Sequence, residues 1–215
     1  MNRWIATLLL FVLVLTHGPA ALAQSAPVPV EGMLGNRGLY FQMTVAKPLG
    51  QKPTWSFFNV TTLFGDYENK KNDFFSQSLL LYNINHHVAL HSGLTMNIAT
   101  GFHTIVGAQF KSVNKNHLWV ALPNMELSKK KDLGLFSVYE QRFKASEQLT
   151  LYTRLQGVYA YNLTEEHHSR SYIYLRMGWT GIKGGSQGIA YNYDRYGPFK
   201  ASYSNLGIFI TKPLF

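Results

Sequence analysis

Glu147-Gln148-Leu149-Thr150-Leu151-Tyr152-Thr153-Arg154-Leu155-Gln156-Gly157-Val158-Tyr159-Ala160-Tyr161-Asn162 alternates with a period of two. Successive side chains of a strand point to opposite sides. Leu149, Leu151, Leu155, Tyr159 and Tyr161 therefore share one face with Thr153 and Gly157, and Thr150, Tyr152, Arg154, Gln156 and Asn162 share the other. A soluble sandwich would bury the apolar face in a dry core. A closed barrel in a membrane turns it outward to lipid and gives the polar set to the lumen. An arginine facing lipid at the midplane would cost roughly 2–4 kcal/mol, so Arg154 is assigned to the lumen.

The same split recurs on either side of this stretch. Val88, Leu90, Leu94 and Met96 oppose His91, Thr95 and Asn97, and Leu118, Val120 and Leu122 oppose His117 and Trp119. From Ser169 to Gly181, Ile173, Leu175, Met177 and Trp179 oppose Arg170, Tyr172, Tyr174, Arg176 and Thr180. In each case the apolar set is expected outside. About eleven such segments follow Gly38, the weak per-segment signature of a transmembrane barrel. Short connections at Asn83–His86, Asn114–Asn116, Lys144–Glu147 and Lys183–Ser186 alternate with longer polar ones at Gly65–Asp73, Asn124–Asp132, Leu163–Ser169 and Arg195–Ser204, with Asn97–Gly101 a shorter fifth. Single-chain bacterial barrels use an even strand number. The expected fold is thus an all-β, antiparallel, up-and-down transmembrane barrel of twelve strands, with ten as the alternative. Ala26 to Leu34 is the place for the missing strand, although Pro27 and Pro29 suit an extension or an edge better.

The N-terminus supplies the compartment. Arg3 precedes an apolar run from Trp4 to Leu15 that is too short for a comfortable membrane span, and Ala21-Leu22-Ala23 is the small-x-small pattern of a signal peptidase site. The expected organisation is a signal peptide over 1–23, an N-terminal extension over 24–37 and an outer-membrane barrel over 38–215. The 215 residues contain no cysteine, which excludes both a disulfide framework and lipoprotein attachment. Tyr and Phe are abundant at 13 and 14, and charged residues are only 14%. The formal charge of +9 would suggest nucleic acid in a cytosolic protein. Export excludes that partner and leaves outer-membrane lipid and small anionic solutes.

The chain closes on Asn205-Leu206-Gly207-Ile208-Phe209-Ile210-Thr211-Lys212-Pro213-Leu214-Phe215, a strand ending in an aromatic. This resembles the C-terminal signal read by the outer-membrane assembly machinery, which makes that machinery an expected partner through Phe215. Leu206, Ile208 and Ile210 share a face that Phe215 does not, so a bulge near Pro213 is needed to align it. With the tyrosine-rich Ile189–Arg195 and Tyr196-Gly197-Pro198, the chain resembles the small outer-membrane barrels of unknown role found in the Bacteroidota. That resemblance implies a location and a fold, and no catalytic residue.

Catalytic signatures are sparse. There is neither a Gly-x-Ser-x-Gly elbow nor a His-Glu-x-x-His zinc motif. In His91-Ser92 the two side chains point to opposite faces. His86-His87 falls in a short turn and His167-His168 in a longer loop, at opposite ends of a barrel, so neither pair indicates a metal; no cofactor is implied. The constellation that carries chemistry is in the lumen: Glu140, Arg142, Tyr152, Arg154, Arg170, Tyr172, Tyr174, Arg176 and Asp194, from four consecutive strands. Two acids facing four arginines describe either an anion-selective constriction or binding site, or a plug of paired charges that conducts nothing. The function expected is therefore a structural, channel-like or ligand-binding barrel without catalysis. The alternatives are a barrel enzyme acting on lipid or lipopolysaccharide, and a soluble periplasmic β protein with a ligand cavity.

Overall fold

The computed structural model describes residues 27–51, 54–129, 131–147, 149–181 and 184–214. Twelve antiparallel strands run in chain order: β1 (Val28–Gly35), β2 (Gly38–Leu49), β3 (Trp55–Asp66), β4 (Asp73–Asn83), β5 (Val88–Asn97), β6 (Gly101–Val113), β7 (His117–Glu126), β8 (Asp132–Lys144), β9 (Thr150–Asn162), β10 (His167–Thr180), β11 (Ser186–Tyr196) and β12 (Ala201–Leu214). Each pairs with its chain neighbours, and β12 pairs with β1 to close the barrel. Closure leaves no unpaired sheet edge.

The barrel begins at Val28, so β1 occupies much of the stretch expected as an extension over 24–37. The prolines that argued against a strand there meet one another. Pro29 pairs with Pro213 of β12, so the two missing N–H donors fall at one rung near the strand ends. The β1–β12 register runs unbroken from Val28↔Leu214 to Gly35↔Gly207, with no bulge at Pro213. Phe215 and the proposed signal peptide over 1–23 lie outside the described residues.

The exterior is apolar, with Leu90, Leu94, Leu151, Leu155, Ile173, Leu175, Met177, Ile189, Ile208 and Ile210 all exposed. One expected face is reversed. On β7 it is Val120 and Leu122 that are buried in the lumen, at 8% and 0% exposure, while Trp119 is exposed. Alternation alone gives two faces and does not label them. Here the apolar set meets an apolar lumen wall, packing with Phe58, Val60, Leu79, Leu81, Ala89, Ile105 and Phe136.

The turns also differ from expectation. The short and long connections do fall at opposite ends, but their lengths converge because the strands extend into the polar flanks: β10 begins at His167 and β12 at Ala201. His167 and His168 accordingly belong to a strand, whereas His86 and His87 lie in the β4–β5 connection.

Candidate functional site in the lumen

The lumen has two unlike halves. Strands β3 to β8 supply the apolar wall just described. Strands β9 to β12, with β1 and β2, supply Glu31, Tyr40, Gln42, Tyr152, Arg154, Gln156, Tyr172, Tyr174, Arg176, Asn192, Asp194 and Asn205, all buried.

At mid-height the hub is Glu31. Arg154 Nη2 donates to its Oε2 at 2.6 Å, and Arg176 Nε donates to its Oε1 at 2.9 Å. Arg176 Nη1 also donates to Asn192 Oδ1 and to the Leu175 carbonyl, both at 2.8 Å. The rings of Tyr40, Tyr174 and Phe209 lie 5.6 to 5.9 Å from its guanidinium carbon, within cation–π range. A carboxylate shared by two guanidiniums and enclosed by rings is a buried ion triad whose charges cannot separate without a large desolvation cost. Beside it Gln42 and Gln156 bond amide to amide at 3.2 Å across the bore, and Gln156 Nε2 donates to the Tyr172 hydroxyl at 3.1 Å.

The nine residues singled out by sequence do not form one site. Arg154 and Arg176 join the Glu31 triad. Tyr172 stacks on Tyr174 with ring centroids 4.1 Å apart. Glu140 lies towards the end where β1 starts and β12 ends, accepting from Arg142 Nη2 at 3.2 Å and from the Tyr152 hydroxyl at 3.1 Å. Towards the opposite end Arg170 reaches across the lumen to Asp73 of β4 at 2.8 Å and contacts Asp194 at 3.4 Å. The Tyr174 hydroxyl donates to Asp194 at 3.0 Å and the Tyr196 hydroxyl to Asp73 at 3.2 Å.

Two acids were missed, Glu31 and Asp73. Glu31 stood in a segment taken for an extension, and Asp73 at the edge of a polar loop. With them counted, Glu31, Asp73, Glu140 and Asp194 match Arg142, Arg154, Arg170 and Arg176. The arginine excess that pointed to an anion site therefore disappears from this cluster. A signal was present in the sequence: Glu31 is the sole charged residue between Val28 and Gly35, and a lone acid in an otherwise apolar strand needs a buried cation.

The Asp73–Arg170 bridge divides the mouth opposite the start of β1. On one side lies a cleft of about 20 Å³ bordered by Tyr40, Asn192 and Asn205, room for about one water. On the other is a vestibule of about 400 Å³, within the range of roughly 300–1,000 Å³ typical of small-molecule sites. Phe75, Ile105, Phe136 and Val158 contribute to its apolar lining, and Asn97, His103, Asn124, Glu126, Asp132 and Asn162 to its polar lining. His103 Nδ1 is 3.0 Å from Glu126 Oε1. Buried Gln77 Nε2, His103 Nε2 and Asp132 Oδ1 have no hydrogen-bond partner. Among the described residues no group of three or more His, Asp or Glu side chains is arranged to hold a metal.

No family model matches the chain, and no curated protein matches it. Among the solved structures that match the chain are two porins. A NanC porin superposes with a TM-score of 0.53 at 9% identity, covering 87% of this chain and 99% of the porin. A KdgM porin gives 0.49 at 7% identity, again over 87% of this chain and 99% of that one. The first likeness extends over nearly the whole described chain and is one of architecture.

Proposed function

We propose that the chain is an integral outer-membrane barrel of porin-like architecture whose lumen is shut at mid-height, leaving a blind vestibule at one mouth. One observation carries the reading: Leu79, Leu122 and Arg176, which point into the bore from β4, β7 and β10, have no solvent exposure. In a water-filled channel such side chains would be wet. Four pairs of residues also bridge strands that are not neighbours in the sheet, Glu31–Arg154, Glu31–Arg176 and Gln42–Gln156 within the polar half and Asp73–Arg170 from one half to the other.

The apolar exterior supports a lipid environment, since monomeric soluble proteins rarely expose large contiguous apolar patches. An even strand number, with β1 starting and β12 ending at the same mouth, supports a periplasmic placement of that mouth, which turns the vestibule to the outside. The role is that of a closed barrel receiving a small solute at its outer mouth, with no catalytic step inside the lumen.

Reconstitution into planar bilayers tests it, with insertion checked by heat-modifiable gel migration. The expected result is a folded, inserted barrel with conductance no different from empty bilayer. Stable single-channel steps from unmodified protein would overturn the closed reading, and a chain soluble without detergent would overturn the membrane one.

A further inference from the structure

On the outside of the barrel, away from the lumen cluster, the start of β10 carries a histidine and a serine in hydrogen-bond contact. The pairing of β10 with β9 passes from His168↔Tyr161 to Arg170↔Ala160, so Ser169 is an extra, bulged residue. Without it, His168 and Ser171, three apart, would face opposite sides. With it, both lie on the outer face, Ser171 opposite the exposed Tyr159. Bulges of this kind re-aim side chains and recur beside active sites.

His168 Nδ1 lies 2.9 Å from the carbonyl oxygen of Gly197, and its Nε2 lies 3.0 Å from Ser171 Oγ. A carbonyl only accepts, so the proton of the neutral ring sits on Nδ1 and Nε2 is left as an acceptor. Ser171 Oγ–H therefore donates to Nε2. That is the tautomer a general base needs: a nucleophile bonded to the base, and the base oriented by a third group. Gly197, at φ 67° in the β11–β12 turn, supplies that third group from its backbone. His168 is 6% exposed, its ring set edge-on to Tyr159 at 5.8 Å.

A second serine–histidine pair in the same chain shows that such contact is not enough. Ser112 Oγ lies 3.0 Å from His117 Nε2, near the end where β1 starts and β12 ends. Here Asn114 Oδ1 accepts the backbone N–H groups of Asn116 and His117, which turns its amide Nδ2 towards His117 Nδ1 at 2.7 Å. Nδ1 must then accept, Nε2 carries the proton, and the ring donates to the serine instead of taking its proton.

Next to the His168 pair stands a cation. Arg195 of β11 is directly opposite Ser171 in the register and exposed, with its Nε donating to the Tyr193 hydroxyl at 3.0 Å. A guanidinium on this face complements a phosphate, and an apolar belt beneath it complements acyl chains.

The geometry points to Ser171 and His168 as the nucleophile and base of an acyl-ester hydrolase acting on phosphate-bearing lipid from the outer mouth's surface of the barrel. In the first half-reaction Ser171 Oγ attacks the ester carbonyl carbon as its proton passes to His168 Nε2. The carbon–oxygen bond to the lipid alcohol then breaks, and that alkoxide takes the proton from Nε2. In the second, water attacks the acyl-serine, giving its proton to Nε2. The Ser171 oxygen leaves and recovers that proton, so the net change is ester plus water to fatty acid plus alcohol.

The inference rests on the membrane reading above, and its test reports on the two separately. Purified barrel, its insertion monitored by heat-modifiable migration, is treated with an alkyl fluorophosphonate. In parallel it is assayed for fatty-acid release from phosphatidylethanolamine vesicles and from lipopolysaccharide. The expected result is covalent labelling of Ser171 and release from one of the two lipids, which identifies the source. Release falls about a thousandfold or more in Ser171→Ala and His168→Ala and is unchanged in Ser112→Ala. Ser171→Ala removes a single oxygen and leaves the barrel folded. An inserted wild-type barrel that neither labels nor releases fatty acid from either lipid overturns the assignment, as does release that survives Ser171→Ala. A chain that does not insert, read from its migration alone, removes the membrane reading and this inference with it.

Discussion

The two halves of the lumen fill the same space by opposite means. From β3 to β8 the bore is filled by Phe58, Val60, Leu79, Leu81, Leu122 and Phe136, which need only volume and exclusion of water. From β9 round to β2 it is filled by guanidiniums, carboxylates and tyrosines, each needing a partner in a particular direction. Apolar packing degrades gradually when one member is trimmed. A buried ion network fails sharply when one member is removed, because the remaining charge is stranded. The ionic half should therefore be the less tolerant of single substitutions and the more tolerant of wholesale replacement.

The largest expected effect follows directly. Glu31→Ala strands Arg154 and Arg176, and urea unfolding in detergent micelles should show a loss of roughly 3–5 kcal/mol. Replacing Glu31, Arg154 and Arg176 together by Met should restore stability to within about 1 kcal/mol of wild type, since an ion triad and an apolar cluster of similar volume are often equivalent. A triple variant as damaged as Glu31→Ala would break the comparison. Leu122→Ala in the other half should cost about 3 kcal/mol by leaving a cavity, while the barrel remains closed and heat-modifiable. Asp73→Asn is the mildest. Its partner Arg170 retains Asp194 and lies at a mouth where water reaches the pair, so about 1 kcal/mol is expected from the same unfolding curves.

Much of this architecture was legible in the sequence because a strand's period is two and a membrane penalises polar groups on one side. The polar residues on β10 and β9, Arg154 and Arg176 above all, are inward as their alternation requires. Where both faces are tolerable the pattern is silent. Leu118, Val120 and Leu122 alternate as cleanly as Leu149, Leu151 and Leu155, yet they point inward because the lumen wall opposite is dry. The charge balance was misread for a different reason. Glu31 and Asp73 sit at positions 31 and 73, and their partners Arg176 and Arg170 lie 145 and 97 residues away. Only the closure of β12 on β1 brings the first strand beside the last. The serine–histidine pair was illegible in a third way. A spacing of three places two strand residues on opposite faces, and nothing in His168-Ser169-Arg170-Ser171 announces that Ser169 is the bulged residue.

A closed lumen can be tested with single cysteines, because none of the 215 residues is a cysteine. Ala89→Cys and Ala190→Cys place one thiol in each half at positions of 0% exposure, and Asn97→Cys places one at the vestibule. With a charged, water-soluble thiol reagent on folded barrel in detergent, where both mouths are accessible, the vestibule thiol should react at least about a hundredfold faster than either of the others. Comparable rates at all three positions would contradict a barrel shut at mid-height.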